Sequence, residues 1–261
     1  MLMSDVDRIN MFALPGIPAV RQGDDLGKLI LGGLSRCGET MRDCDVLVVA
    51  QKIVSKAEGR VRLIADIEPS LKAIEVASAS GKDPRKVQAI LEESTDIVRA
   101  ARVGVDGVVI ARHRHGWVSA NAGIDESNLG RDDGALLLLP DDPDLSARRI
   151  AETVTSATGV RLGVVITDTF GRPWRRGLVN VAIGLANLPA IIDLVGEADA
   201  YGRKLQVSQQ AFADEIAAAS GLLMLKDAAL PVVVVRGLRW TSDSAASARR
   251  YVRPLTEDLF K

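Results

Sequence analysis

Three groups of polar residues follow apolar, strand-like runs and could together hold a metal ion and a phosphate chain. The groups are Lys52 with Lys56, Asp125 with Asn128, and Asp168 with Thr169. Carboxylate and carbonyl oxygens are the ligands that Mg²⁺ and Mn²⁺ prefer, and a lysine ammonium binds phosphate as a point charge. Two carboxylates and a hydroxyl can hold one or two divalent ions against a triphosphate, so convergence of the groups would predict a phosphoryl-transfer site.

The third group lies in the stretch 163–177, which starts as an apolar run and ends in a cationic turn. The β-branched run 164–166 predicts a buried strand, and a Gly/Pro turn with Arg172, Arg175 and Arg176 follows Asp168. A strand that delivers a carboxylate into a cationic loop commonly builds an anion or metal–phosphate site. A surface turn whose Asp and Thr bind their own backbone explains this stretch equally well.

The other polar clusters also have structural interpretations. The lysine pair could be solvated on a helix face, and the segment 117–128 could be a loop of Asx turns. Three aspartates in 140–144 suggest a metal site by number, but Asp144 precedes a helical pattern and is better explained as its cap. His113-x-His115 could ligate a metal from one strand face, but its basic context favours an exposed pair without a metal.

Hydrophobic periodicity predicts strands and helices that could position these groups. Strands are predicted over 45–50, 108–110, 135–139, 164–166 and 231–237. Helices are predicted after an Asp25 cap, over 70–80, from Pro84 with a stripe reaching Ile97 and Val98, over 145–158 with Leu145 facing inward, over 208–225, and after a Ser242-Asp243 cap. Strict βαβ alternation is missing, which favours an α+β or irregular, mixed α/β fold.

Composition and motifs exclude several classes of function. The net charge of −1 and the 3% aromatic content argue against a nucleic-acid partner. No apolar run reaches the ~20 residues of a membrane span, no signal peptide is recognisable, and Cys37 and Cys44 are typical of reduced thiols; we therefore expect a soluble, cytoplasmic protein. Walker, G-x-G-x-x-G and G-x-S-x-G motifs are absent from the sequence.

Four separated motifs point to one family. They are Gly16-Ile17-Pro18-x-Val20-x-x-Gly23-Asp24-Asp25, Val54-Ser55-Lys56-Ala57-Glu58-Gly59-Arg60, Ala120-Asn121-Ala122-Gly123-Ile124-Asp125-x-Ser127-Asn128 and Asp168-Thr169-Phe170-Gly171-Arg172-Pro173-Trp174-Arg175. Asp199-x-Tyr201-Gly202 and the Asp214-Glu215 pair extend the match over nearly the whole chain. In this order they resemble the coenzyme F420-0:L-glutamate ligase family, including the N-terminal domain of its longer actinobacterial members.

The resemblance implies a ligase that depends on GTP and on Mg²⁺ or Mn²⁺, with K⁺ as a further candidate ion. Such an enzyme joins L-glutamate to the lactyl carboxylate of the deazaflavin precursor F420-0 through an acyl phosphate, and further glutamates can follow through γ-linkages. The resemblance also implies one ligase domain over residues 1–261, built from two α+β subdomains and assembled as an intertwined homodimer. The reductase-like second domain of longer homologues is not expected here.

The resemblance also assigns residues to roles, motif by motif. The expected GTP-binding residues are Ile17, Pro18, Ala19, Val20, Gln51, Lys56 and Asn128. The expected metal ligands are Asp125, Asp168 and Thr169, and the expected catalytic residues are Lys56, Asp168 and Arg175. Gln51 departs from the family pattern, which often has Ser at this position. We hypothesise that Arg172 and Arg175 bind an acidic substrate group, because guanidinium pairs with carboxylate or phosphate in a bidentate way.

Two rival interpretations remain open from the sequence. One is a ligase that acts on another acceptor or another amino acid. The other is a GTP-binding regulatory protein that has lost turnover. Retention of Asp125, Asp168 and Thr169 favours an enzyme, because loss of catalysis usually relaxes metal ligands.

Overall fold

The computed structural model describes residues 8–105, 107–127, 134–225 and 229–258. The strands are β1 (Asn10–Ala13), β2 (Val46–Ala50), β3 (Val61–Leu63), β4 (Ser94–Ala101), β5 (Val108–His113), β6 (Val118–Ala120), β7 (Ala135–Leu137), β8 (Gly163–Arg172), β9 (Arg175–Ala186), β10 (Ile192–Asp193), β11 (Gln209–Gln210) and β12 (Val232–Arg236). The helices are α1 (Leu26–Arg36), α2 (Gln51–Ala57), α3 (Leu71–Ser80), α4 (Pro84–Glu92), α5 (Pro143–Thr158) and α6 (Phe212–Ser220). This mixture confirms an α+β fold.

The largest sheet has the strand order β1-β12-β2-β8-β9. Its centre consists of β-branched, nearly fully buried runs in β12, β2 and β8, as the apolar patterns predict. Strands β2 and β8 run parallel, with Val46 opposite Gly163 and Ala50 opposite Thr167, whereas the other pairs are antiparallel. The carboxyl ends of β2 and β8 therefore meet at one edge of the sheet.

Helices α1, α5 and α6 complete the main hydrophobic core with this sheet. Leu47, Ile166 and Leu185 are among its fully buried side chains. Helix α1 begins after Asp25, whose side chain accepts a hydrogen bond from Lys28 N, so the predicted cap is confirmed. A Cβ atom at Gly27 would lie 2.5 Å from Cβ of Thr153 on α5, so this glycine allows the two helices to pack closely.

The segment between β2 and α5 forms smaller sheets with separate hydrophobic clusters. Strands β4, β5 and β6 form an antiparallel sheet against which α3 and α4 pack around Val76, Val87 and Val109. Strands β3 and β7 pair antiparallel beside a third cluster. The division of the chain into two subdomains stays a prediction. Within the described ranges, no helix is long and apolar enough to cross a membrane.

Three predicted helices are shorter than expected or absent from the described residues. Helix α4 ends at Glu92, and Ile97 and Val98 lie in β4, where β-branched side chains suit pairing with β5. Helix α6 covers only Phe212–Ser220, because Gln209 and Gln210 pair with β10. After Ser242-Asp243 the described chain forms a turn and short 3₁₀ segments instead of an α-helix.

The predicted cap of α5 is wrong by two residues. Asp142 is the cap, and its Oδ1 accepts a hydrogen bond from Leu145 N at 2.9 Å. Asp144 is buried in the first turn, where its carboxylate accepts hydrogen bonds from Leu185 N, Ala248 N and Ser247 Oγ. Leu145 is 37% exposed and does not face inward. Asp144 therefore fastens α5 to β9 and to the C-terminal segment.

The His113/His115 pair is buried, and the predicted exposed context is wrong. His115 N donates to His113 Nδ1 at 3.1 Å, and His115 Nε2 lies 3.2 Å from the carbonyl oxygen of Pro140. Burial, reinforced by His113, lowers the pKa of His115 to about 4. His115 is therefore neutral at physiological pH, and its ring donates to the Pro140 carbonyl.

Candidate functional site

The first two polar groups meet through Lys52. Lys52 follows β2 directly in α2, and its Nζ lies 2.7 Å from Asp125 Oδ2. The same ammonium donates to the hydroxyl of Ser127 at 2.7 Å and to its carbonyl oxygen at 3.0 Å. The backbone of Asp125 is fixed on β7 by two hydrogen bonds with Leu137. A lysine and a carboxylate that are 73 positions apart are thus held in contact.

Asp168 brings the third group to the same place. It follows Thr167, which pairs with Ala50 at the carboxyl end of β2, so it lies beside the start of α2. Desolvation, opposed by a hydrogen bond from Thr169 N and reinforced by the negative charge of Asp125, raises the pKa of Asp168 to about 7. The predicted convergence of Asp125 and Asp168 with the start of α2 is therefore what the fold produces.

Asp125 and Asp168 differ in their electrostatic environment. Partial burial opposes ionisation of Asp125, but hydrogen bonds from Lys52 and Ser127 outweigh it and lower its pKa. Asp168 has no comparable ion pair among the described residues. When both carboxylates are ionised, the single Lys52 ammonium leaves the site with a net negative charge. Such a site favours the binding of an additional cation.

Gln51 lies beneath this carboxylate pair. Its side chain is only 1% exposed, and its Oε1 accepts a hydrogen bond from Ser55 Oγ at 2.9 Å. The amide tends to lower the pKa of Asp168, yet its Nε2 makes no well-formed hydrogen bond within the described part of the chain. The contact of Gln51 with GTP stays a prediction. The Gln51 side chain is buried next to Asp168.

The chain that follows the predicted nucleotide segment 17–20 contacts the end of α2. Gly23 N donates to the carbonyl oxygen of Ala57 at 2.9 Å, next to Lys56. Ile17 and Val20 face the main core, whereas Pro18 and Ala19 are exposed. Burial and the neighbouring Lys52 lower the pKa of Lys56. The fold therefore brings the chain just after this segment close to Lys56, while the predicted contact from Asn128 lies outside the described residues.

The hydroxyl of Thr169 and the arginines lie on the hairpin of β8 and β9 and do not join the carboxylate pair. Successive strand residues point to opposite faces, and Thr169 Oγ1 donates to Asn180 Oδ1 at 3.0 Å. Its hydroxyl is therefore engaged away from Asp168. Arg172 pairs with Arg175 at the tip of the hairpin, which puts both Cα atoms roughly 13 Å along the strand from Asp168. The structure does not bring Arg175 beside the carboxylate pair.

The sequence also matches the model of a known protein family. The family model described as F420-0:Gamma-glutamyl ligase matches residues 16–237. The chain belongs to this ligase family. The match includes the four sequence motifs and every expected site residue, so the resemblance seen in the sequence is confirmed.

Individual relatives of the ligase match over nearly their whole length. The coenzyme F420:L-glutamate ligase of Methanothermobacter thermautotrophicus is 46% identical over 97% of this chain and 99% of its own. The protein of the same name from Archaeoglobus fulgidus is 40% identical, covering 97% of each chain. The one from Halorubrum lacusprofundi is 42% identical over 87% of each. This chain is therefore an enzyme of the ligase class.

The carboxylates of the ligase fit a hard divalent cation. Among the described residues, no three His, Cys, Asp or Glu side chains cluster as a complete metal site. Asp125 and Asp168 nevertheless offer carboxylate oxygens, and their mutual repulsion is only partly offset by the Lys52 ammonium. A divalent ion would neutralise that repulsion. These two residues could hold Mg²⁺ or Mn²⁺.

Lys52 was expected to contact phosphate, but its ion pair with Asp125 and the part played by Ser127 were not predicted. Lys52 contacts both Asp125 and Ser127, and Ser127 N donates to Asp125 Oδ1 at 2.8 Å. The available signal was the position of Lys52 immediately after a buried strand, one residue beyond Gln51. A lysine there could also have been solvated, and only the fold of the chain distinguishes these two cases.

Proposed function

We propose that this ligase uses GTP to join L-glutamate to coenzyme F420-0. The observation that carries the proposal is the carboxylate pair Asp125 and Asp168 beside Lys52, at the edge where the parallel strands β2 and β8 end. Such a site suits a metal-bound phosphate chain, and relatives covering nearly the whole chain carry the name coenzyme F420:L-glutamate ligase.

The proposed reaction has two steps. A carboxylate is a poor acyl donor, so an oxygen of the F420-0 carboxylate first attacks the γ-phosphorus of GTP. The bond to the β-phosphate oxygen breaks, leaving an acyl phosphate and GDP. The glutamate amine then attacks the acyl carbon, phosphate leaves, and the nitrogen loses a proton to give the amide. Both steps build negative charge on phosphate oxygens.

The residues of the site would divide this work. Asp125 and Asp168 would hold Mg²⁺ or Mn²⁺, and the chemistry that such an ion supplies is stabilisation of charge on phosphate oxygens. Lys56 would offset the same charge beside the segment 17–20, which would bind the nucleotide. Lys52 would keep Asp125 ionised and oriented. Asp168 must be ionised to bind a cation, so its raised pKa makes binding sensitive to pH near neutrality.

The homodimer expected from the resemblance is also part of this proposal. The chain between β10 and β11 forms an antiparallel arm, with Leu194 N bound to Ser208 O and Gly196 N bound to Leu205 O. Val207 is 88% exposed and Val195 is 50% exposed on this arm. Contiguous exposed apolar side chains are typical of surfaces that contact another chain, so we place the dimer contact at this arm. Light scattering of the purified protein would measure its molar mass in solution.

Mass spectrometry of the reaction products tests the proposed function. The complete mixture contains F420-0, L-glutamate, GTP and Mn²⁺ or Mg²⁺, with and without K⁺. Matched mixtures replace GTP by ATP, omit the divalent ion or replace glutamate by another amino acid. We expect products spaced by glutamyl units only with GTP, glutamate and a divalent ion. Metal-dependent GTP binding without any glutamyl product would contradict the proposal and favour another acceptor or a regulatory protein.

A further inference from the structure

The hairpin of β8 and β9 ends in an exposed aromatic side chain between arginines. Pro173 and Trp174 form the two-residue turn that joins the paired residues Arg172 and Arg175. Trp174 is 82% exposed, although aromatic residues make up only 3% of the chain. A large apolar side chain that is this exposed adds little to the hydrophobic core, and exposed aromatic side chains often mark binding surfaces.

The backbone of Trp174 also opposes local preference. Its φ angle is +58°, which lies in the left-handed region. Hairpin turns normally place glycine or asparagine in that conformation. Bulky residues in this region cluster at ligand-binding positions, where the surrounding structure holds them in place. The turn therefore presents the indole outward at a conformational cost that a small turn residue would avoid.

The charge around Trp174 favours an anionic ligand. Arg172, Arg175 and Arg176 are all exposed, and Arg172 Nη2 donates only to the backbone carbonyl of Arg176 at 3.2 Å. In the described part of the chain, none of the three guanidinium groups forms an ion pair with a carboxylate. An aromatic platform among uncompensated arginines suits a planar, electron-rich ring on a negatively charged molecule.

The tip and the carboxylate pair lie on one strand. Asp168 and Arg172 are four residues apart on β8, with a register irregularity between Gly171 and Arg172. Trp174 follows roughly 20 Å from Asp168 at about 3.3 Å per residue. An extended acceptor with a carboxylate at one end and an aromatic ring at the other could span this distance. The strand would then align the two ends of one substrate.

We propose that Trp174 is a specificity-determining residue that stacks on the deazaflavin ring of the acceptor while the acceptor carboxylate reaches the site at Asp168. This inference rests on the proposed function and deepens it. Arg172 and Arg175 attract the acceptor through its negative charge and hold it against the indole. GTP and L-glutamate bind elsewhere, so the contribution of Trp174 is confined to the acceptor.

Calorimetry and steady-state kinetics with F420-0 test this role. Removing one base-stacking aromatic side chain costs about 1–3 kcal/mol, so Trp174→Ala should raise the Kd and KM for F420-0 by roughly 5- to 150-fold. The KM for GTP and for L-glutamate should not change. Trp174→Phe keeps an aromatic platform and should recover most of the affinity. Leu71→Ala is the matched control, because Leu71 is 87% exposed on α3.

Two results would overturn the inference. One is an unchanged Kd for F420-0 in Trp174→Ala when the wild type binds it. The other is a fall in molar mass of Trp174→Ala by light scattering together with the loss of affinity, which would make Trp174 a contact between copies of the chain. A different result would refute the proposed function. If the wild type binds F420-0 through Trp174 but forms no glutamyl product, the proposed function is wrong and the inference is supported.

Discussion

Replacing Asp168 by Asn should stabilise the metal-free protein while abolishing its metal-dependent binding of GTP. Desolvation of the carboxylate, reinforced by the negative charge of Asp125, raises the pKa of Asp168 from 3.8 to about 7. A raised pKa means that the folded protein binds this proton more tightly than the unfolded chain does. Ionised Asp168 therefore opposes folding above pH 4, and this cost increases until the pH passes the folded pKa.

The magnitude follows from the pKa difference. A change from 3.8 to about 7 corresponds to an upper limit of about 4 kcal/mol at pH 8, and of about 1 kcal/mol at pH 4.5. A domain of this size gains roughly 2–4 °C in Tm per kcal/mol. Asp168→Asn removes the charge with little change in shape, so we expect its Tm to exceed that of the wild type by several degrees at pH 8 and by a much smaller margin at pH 4.5.

Differential scanning calorimetry of metal-free protein between pH 4.5 and 8 measures this difference. Asp125→Asn is the matched control with the opposite sign, because hydrogen bonds from Lys52 and Ser127 lower the pKa of Asp125 and make its charge stabilising. That variant should lose stability, mainly above the ordinary pKa of aspartate. Added Mn²⁺ should raise the Tm of the wild type and not that of Asp168→Asn. A Tm for Asp168→Asn that is lower than the wild type, or shifted equally at all pH values, would refute the reasoning.

Three further predictions test other parts of the account. Lys52→Met should lower kcat/KM for GTP at least tenfold because Asp125 loses its ion pair, and an unchanged value in steady-state assays would contradict the role of Lys52. Arg175→Lys should raise the KM for F420-0 without changing the calorimetric Kd for GTP; an unchanged KM for F420-0 would exclude a bidentate contact. Asp144→Ala should cost about 3 kcal/mol in urea unfolding, against about 1 kcal/mol for Asp142→Ala, because Asp144 accepts three hydrogen bonds and Asp142 caps a helix.

Much of the main sheet was predictable because its strands are continuous β-branched runs. The patterns of β2, β8 and β12 have few helical alternatives, and Asp25 is a clear helix cap. Helix ends were harder to predict where tertiary pairing decides them. Ile97 and Val98 fit a helical stripe extending α4, but their pairing with β5 gives them a strand conformation. The hydrophobic periodicity of this segment cannot show that strand pairing is favoured over the helix.

The candidate site was predictable in its residue types and not in its contacts. The motifs indicated Asp125 and Asp168, and the parallel pairing of β2 with β8 explains why Asp168 lies beside α2. The ion pair of Lys52 with Asp125 depends on how β7 and the preceding segment fold against α2, which no local pattern shows. The burial of His113 was missed for the same reason, because its basic neighbours in sequence suggested a solvated strand end.

An isotope experiment distinguishes amide ligation from simple hydrolysis of GTP at this site. Wild-type protein is mixed with F420-0 labelled with ¹⁸O in its carboxylate, L-glutamate, GTP and Mn²⁺, and both products of a single turnover are weighed by mass spectrometry. If the site ligates through an acyl phosphate, we expect glutamylated F420-0 together with inorganic phosphate that carries one ¹⁸O atom from the carboxylate. Unlabelled phosphate without glutamyl product would mean that water attacks GTP, and would contradict the assignment of this site to amide ligation.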